Sequence, residues 1–242
     1  MFKVIIPAAG KGTRSGLPYP KTLKVFNDIP LLMRTMLTVS ELDARPVIIV
    51  SPEGKRPIEK TISEWAFKAE ILVQEEPRGL GDAILCFRES EYFDNTENVL
   101  AIWGDMISVQ IETLRKLMRL FKENNSVFAF PTRISSPCYT HVTRSNKGRV
   151  ISLIERLEFG DAVPVIGESD VGIFMFNKEI VFNAMKNQGG LLGKSTNEIG
   201  FLQVVSLLSE QYWIDAFLIA DEIDALSFNT DDDLIKAKEV LC

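Results

Sequence analysis

A chain of 242 residues has room for one large α/β domain or two small ones, and its formal net charge of −6 gives no support to non-specific nucleic-acid binding. Apolar residues at 46% and charged residues at 25% are the proportions of an ordinary globular protein and argue against disorder. Three distant cysteines (Cys86, Cys138, Cys242) without a CxxC pair, and a single histidine, His141, exclude a zinc site of ordinary spacing and suit a reducing, cytoplasmic setting.

The sequence opens on an apolar run at 2–7, a buried strand with no basic segment ahead of it to make a signal peptide. That strand feeds Ala8-Ala9-Gly10-Lys11-Gly12-Thr13-Arg14, and Pro20-Lys21 follows. Closely spaced N–H groups around Gly10 and Gly12, with the cations Lys11, Arg14 and Lys21, form a grip for polyphosphate. A solvated basic turn is the bland alternative. The loop lacks the Gly-Lys-Ser/Thr ending of a Walker motif, and Ser15 stands where a dinucleotide fingerprint needs its third glycine.

Further strands are expected at 46–50, 69–74, 98–103 and 126–131, with helices at 31–42, 57–67, 81–87 and 110–123 between them. This alternation predicts right-handed βαβ units in a Rossmann-like, mostly parallel mixed sheet flanked by helices, with ligands at the carboxyl ends of the strands. After about Pro137 the texture changes. A hairpin is expected from 142–144 and 148–151 around Ser145-Asn146-Lys147, then a strand at 171–176, helices at 178–185 and 198–209, a strand at 212–219 and a closing helix at 231–240. No run approaches a membrane span. The reading is a single domain over 1–242, in which 1–135 grips one ligand and 136–242 adds a small antiparallel lobe for another.

Three further segments carry chemistry. Gln74 ends the third strand and brings both a donor and an acceptor for a base edge, while Gly79 and Gly81 let backbone approach a flat ligand; an ordinary strand-to-helix turn, with Asp82 placed for the helix dipole, explains the same residues. Gly104-Asp105 ends the fourth strand on the edge of the phosphate loop, a place for Mg²⁺, which takes one or two carboxylates plus phosphate oxygens. Asn229-Thr230-Asp231-Asp232-Asp233 precedes the last helix and serves either as its N-terminal cap or as the source of a second metal ligand. His141 is read as structural, and Trp65, Trp103 and Trp213 as core or lid packing.

Together these segments resemble the sugar-phosphate nucleotidyltransferases, also called nucleoside-diphosphate-sugar pyrophosphorylases, and most nearly the uridylyltransferases acting on N-acetylglucosamine-1-phosphate. The resemblance lies in Ala8 to Arg14 with Pro20-Lys21, in Gln74 with Gly79-Leu80-Gly81-Asp82-Ala83, and in Gly104-Asp105. It implies condensation of a nucleoside triphosphate, UTP or dTTP favoured, with a sugar-1-phosphate to give an NDP-sugar and pyrophosphate. By this resemblance Arg14 and Lys21 contact the reacting phosphates; Ala8, Ala9, Gly10, Lys11, Gly12, Thr13, Gln74, Gly79 and Leu80 hold the nucleotide. Asp105 and Asn229 hold Mg²⁺, and Thr140, Glu155, Asp170 and Glu198 line the sugar. No nucleic acid and no membrane is implied as a partner, and exposed apolar surface would suit a homodimer.

Some positions depart from the family pattern. Thr140 stands where the acetylglucosamine enzymes have glycine and would crowd the sugar; Asp170 replaces asparagine and Leu80 replaces threonine. Arg156 replaces a lysine common in the glucose enzymes, which is not a neutral exchange at a phosphate. No left-handed β-helix follows, so no acetyltransferase activity is expected. Two alternatives stay open: a cytidylyltransferase acting on phosphocholine or another phospho-alcohol, and a non-catalytic nucleotide-sugar-binding protein.

Overall fold

The computed structural model describes residues 2–10, 16–186, 191–219, 223–228 and 230–241. In the first half, β1 (Phe2–Ala8) is followed by a small hairpin of β2 (Val25–Phe26) and β3 (Ile29–Pro30) and by α1 (Leu31–Val39). Then come β4 (Val47–Val50), α2 (Pro52–Glu64), β5 (Glu70–Val73), α3 (Leu80–Leu85), β6 (Asn98–Ile102), β7 (Met106–Ser108), α4 (Ile111–Glu123) and β8 (Phe128–Ser135). The second half runs β9 (Thr140–Arg144), β10 (Val150–Glu155), α5 (Arg156–Phe159), β11 (Gly167–Asp170), β12 (Ile173–Asn177) and α6 (Lys178–Ala184), and closes with α7 (Val204–Ser209), β13 (Ile214–Leu218), β14 (Leu226–Ser227) and α8 (Asp231–Leu241).

Eight strands form the main sheet in the order β11-β8-β12-β6-β1-β4-β5, with β13 also paired to β8. β1 is parallel to β4 and β6, β4 to β5, and β13 to β8. β12 is antiparallel to both β6 and β8, and β11 antiparallel to β8. Six strands therefore share one direction, as expected of a mostly parallel sheet. The neighbour of β6 is not β8, however. The apolar Ile173–Asn177 segment slots between them, because a strand with four consecutive buried side chains is stable only inside a sheet covered on both faces. β9 and β10 form the expected hairpin, packed beside β11.

The period-2 pattern of the inner strands sorts side chains to two cores. Ile5, Val47, Ile49, Val99 and Ala101 face α3, α6 and α7; Val4, Ile6, Ile48, Val50, Leu100 and Ile102 face α1, α2 and α4. Phe128, Phe174, Phe176 and Phe201 fill the first core with ring-to-ring contacts at 5.5–5.8 Å between centroids. Under α8 lies a smaller core of Phe26, Leu31, Ile107, Phe228 and Ala237.

Two helices begin away from their expected starts. α2 starts at Pro52, ahead of Pro57, because Ser51 caps it by accepting from the Gly54 N–H at 3.0 Å and Pro52 needs no donor at the first turn. α7 starts at Val204 rather than 198, since 191–200 is committed to a loop with its own bridge, Leu192 to Ile199. No helix among the described residues is long and apolar enough to cross a membrane.

Candidate active site

The carboxyl ends of β1 and β6 are stitched together: Gly104 N–H donates to the Pro7 carbonyl at 3.2 Å, and the Gly104 α-carbon faces Thr22, Ile6 and Ala8 too closely for a larger side chain to fit without shifts. Thr22 sits in a short 3₁₀ turn, Lys21–Leu23, so the same contact brings Lys21 to the end of β6. There the Lys21 ammonium forms an ion pair with Asp105 Oδ2 and donates to the Phe228 carbonyl at 3.2 Å. Both charged side chains are mostly buried, 17% and 13% exposed. Two groups 84 residues apart in sequence thus meet at the edge where the expected ligand would lie. Ala8 and Ala9 are buried beside them, and Gly10 is exposed.

Asp105 keeps one oxygen in reserve. Its Oδ1 is buried and has no hydrogen-bond donor among the described residues. The Phe228 N–H donates to the Asp105 carbonyl at 2.9 Å, which pins the chain directly ahead of residue 229 against the end of β6. An ionised carboxylate oxygen buried without a donor is the ligand type that a hard divalent cation takes, so the residues present fit Mg²⁺. Among the described residues there is no cluster of three or more His, Cys, Asp or Glu side chains that could hold a metal. Arg14, Lys11, Gly12, Thr13 and Asn229 lie outside the described residues. In the acidic run after Asn229, Asp231 pairs with Lys24 at 3.1 Å, and Asp233 Oδ2 accepts from the Thr230 N–H at 2.8 Å at the start of α8.

Gln74 follows β5 and is buried at 5% exposure. Its Nε2 donates to the Gly79 carbonyl at 3.0 Å and to Asp82 Oδ2 at 2.9 Å. The sequence suggests that this amide brings both a donor and an acceptor to a base; its donors are in fact engaged within the protein. The two glycines of the turn also make room for the protein's own main chain. Gly79, at φ +102°, and Gly81 give way to the main chain of 198–200: a Cβ on either would lie 2.7–2.8 Å from Glu198 Cβ or from the carbonyls of Ile199 and Gly200. Ile199 N–H donates to the Arg78 carbonyl at 2.6 Å and Gly81 N–H to the Ile199 carbonyl at 2.8 Å. The close approach is by the protein's own chain, and it ties the 74–82 turn to the loop bearing Glu198. Leu80 packs against the first core.

The sugar candidates gather on the lobe side of the same edge. Thr140 Oγ1 donates to Asp170 Oδ1 at 2.6 Å, and Asp170 Oδ2 accepts from the Gly172 N–H at 2.9 Å. Two departures from the family pattern are therefore one hydrogen-bonded pair. Burial pushes the Asp170 carboxyl up from its ordinary range, although both hydrogen bonds oppose the shift. Glu155 is also pushed up, first by burial and then by the nearby charges of Asp170, Glu158 and Glu198; Gln203 Nε2, donating to Glu155 Oε2 at 2.9 Å, opposes this. Glu198 is exposed at the rim, and its loop is held by Glu158, which accepts from the N–H groups of Ser195 and Thr196 and from the Thr196 hydroxyl. Those hydrogen bonds hold the Glu158 carboxyl below the usual range.

Gln203 escapes a reading of the sequence, because nothing in a lone glutamine at a helix start signals a carboxylate 48 residues away. Arg156 is a correction. Its guanidinium donates to the carbonyls of Cys138, Val163 and Pro164 at 2.7–2.9 Å, so it braces the lobe instead of facing a phosphate. His141 lies on β9, its Nδ1 buried beside Gly167 without a hydrogen-bond partner among the described residues. Trp103 packs on Phe174 and Phe201, whereas Trp65 and Trp213 lie at the surface.

Residues 4–165 match the family described as the MobA-like NTP transferase domain. The chain belongs to this family. It is 25% identical over 240 residues to the bifunctional protein GlmU of Streptococcus mutans, an alignment covering 98% of this chain and 51% of that protein. It is 29% identical over 177 residues to the GlmU of Buchnera aphidicola from Schizaphis graminum, covering 73% and 37%. The chain thus spans about half the length, or less, of these curated relatives. Among solved structures, a UDP-glucose pyrophosphorylase complexed with UDP-glucose superposes with a TM-score of 0.79 at 18% identity, covering 100% of this chain and 98% of that one. A structure assigned as a glucose-1-phosphate thymidylyltransferase from Bacillus anthracis gives a TM-score of 0.77 at 17% identity, covering 99% and 94%. At these identities the structural likeness shows the fold: a mixed sheet flanked by helices, as the alternation of strands and helices predicts.

Proposed function

We infer that the chain is a nucleotidyltransferase that joins a nucleoside triphosphate to a sugar-1-phosphate, with UTP or dTTP favoured and Mg²⁺ as cofactor. The observation that carries this reading is the buried meeting of Lys21 and Asp105 at the carboxyl ends of β1 and β6. In the reaction a phosphate oxygen of the sugar-1-phosphate attacks the α-phosphorus, the bond to the β-phosphate oxygen breaks, and pyrophosphate leaves. The sugar-1-phosphate is ionised at neutral pH and needs no base. The protein's work is positioning and charge neutralisation.

Lys21 supplies an ammonium to the phosphates, and Arg14 a guanidinium from the glycine loop. The main chain from Ala8 through Thr13, Lys11 included, cradles the triphosphate. Gln74, Gly79 and Leu80 receive the base. Glu155, steadied by Gln203, and Glu198 accept from sugar hydroxyls, with the Thr140–Asp170 pair bounding that side of the pocket. Asp105 and Asn229 would hold the divalent cation, which when bound neutralises triphosphate charge. The domain works as one unit over 1–242, and it needs neither nucleic acid nor a membrane as partner. A cytoplasmic location and a homodimer are part of the same proposal. Pyrophosphate release from UTP, dTTP, CTP, GTP and ATP with a panel of sugar-1-phosphates tests the activity. Turnover with CTP and phosphocholine alone would select the phospho-alcohol alternative, and binding without turnover the non-catalytic one.

A further inference from the structure

The amide of Gln74 can sit only one way round. Both groups that it meets through Nε2, the Gly79 carbonyl at 3.0 Å and the Asp82 carboxylate at 2.9 Å, are pure acceptors. A rotated amide would set its carbonyl oxygen against two other oxygens, with no hydrogen between them. The side chain is nearly enclosed, and its own N–H is tied to the Val50 carbonyl at 2.8 Å, so the orientation is held at both ends. Among the described residues, the polar atom that Gln74 keeps uncommitted is Oε1, an acceptor.

We propose that Asp82 is a positioning residue for base selection: by taking Gln74's amide hydrogens together with Gly79, it leaves Gln74 to offer only an acceptor to the base. Such a group pairs with bases whose Watson–Crick ring nitrogen carries a hydrogen, which are uracil, thymine and guanine. Cytosine and adenine present a bare ring nitrogen at the same position, and two acceptors facing one another lose the hydrogen bond and bury an unpaired group. This rests on the nucleotidyltransferase reading of the Gln74 turn, and it turns a preference for UTP or dTTP into a consequence of one carboxylate in the first turn of α3. Asp82 also departs from a mere dipole role there, because its oxygen is spent on Gln74.

Calorimetric binding of UDP, dTDP, CDP, ADP and N3-methyl-UDP in Mg²⁺ buffer tests this without turnover. The wild-type chain is expected to bind UDP or dTDP at least tenfold more tightly than CDP and N3-methyl-UDP. Asp82→Ala releases one of the two acceptors and is expected to lower the UDP-to-CDP ratio at least threefold, with sugar-1-phosphate binding unchanged. Asp82→Leu, of similar size but with no acceptor to offer Gln74 Nε2, serves if the alanine variant does not fold, and is expected to relax the ratio in the same direction. Equal affinity for UDP and N3-methyl-UDP in the wild type, or an unchanged ratio in a folded Asp82 variant, would overturn the proposal. Failure of every nucleotide to bind would instead overturn the function proposed above.

Discussion

Replacing Lys21 by methionine is the most direct test of the site, because it removes a charge while keeping most of the side chain's bulk. Two unit charges at hydrogen-bond distance attract by roughly 5 kcal/mol at an effective dielectric of about 20. Much of that only offsets the loss of hydration on burial, so the pair itself contributes little net stability. Breaking it is a different matter. Asp105 would keep a carboxylate that is 13% exposed, with Oδ1 lacking a donor among the described residues and Oδ2 losing its partner. Removing one member of a buried pair costs about 3–5 kcal/mol, and the residual exposure here brings the expectation to about 2–4 kcal/mol. For a chain of this length each kcal/mol lowers Tm by about 2–4 °C, so Lys21→Met is expected to melt about 5–15 °C below wild type. Saturating Mg²⁺ should then raise the Tm of the variant by more than it raises that of the wild type, since a bound cation supplies the missing charge and stabilises by about 2.7 kcal/mol at a hundred times its Kd. The assay is differential scanning fluorimetry with and without Mg²⁺, beside Asp105→Asn, which should abolish the Mg²⁺ response. A Lys21→Met protein that melts within 1 °C of wild type, or that responds to Mg²⁺ no more than wild type, refutes the electrostatic account.

Gly81→Ala should be destabilising despite alanine's better helix propensity, because its Cβ would press on the carbonyls of Gly200 and Ile199 at 2.7 and 2.8 Å; the expected net loss is about 1–3 kcal/mol in chemical denaturation, with a raised KM for sugar-1-phosphate as the Glu198 loop shifts. Glu155→Gln should raise stability and lower turnover. The folded state raises the Glu155 pKa above its ordinary 4.5, mainly through burial, so the wild-type protein binds that proton more tightly than the unfolded chain and loses stability as pH rises through the raised value. The glutamine variant should therefore out-melt wild type at pH 8, and the difference should vanish as pH falls towards 4.5. Arg156→Lys should cost about 1–3 kcal/mol in urea unfolding, since a lysine cannot reach three carbonyls in a fixed fork, while KM for both substrates stays within about twofold.

Much of the framework was legible in the chain because it depends on local pattern. Runs such as Val47–Val50 and Asn98–Ile102 are apolar on both faces, which only a covered sheet can satisfy, and their alternation with amphipathic segments leaves little choice of topology. The meeting of Lys21 with Asp105 could be anticipated for the same reason: loops after parallel strands emerge on one edge, so motifs at the ends of the first and fourth strands converge there.

What the chain could not disclose was decided by contacts between distant segments. No local signal places Ile173–Asn177 between β6 and β8, or halts a helix until Val204 so that 198–200 can bind the 78–81 turn. Hydrogen-bond direction is the clearest case. An amide in a sequence is both donor and acceptor, and only its tertiary neighbours, here Gly79 and Asp82 around Gln74, determine which half is left over. Arg156 makes the same point for charge, since the family resemblance sets it at the place of a lysine near a phosphate, whereas three backbone carbonyls claim its guanidinium. Residue type and spacing set which groups reach the edge of the sheet; the three-dimensional packing sets which of their valences stay free.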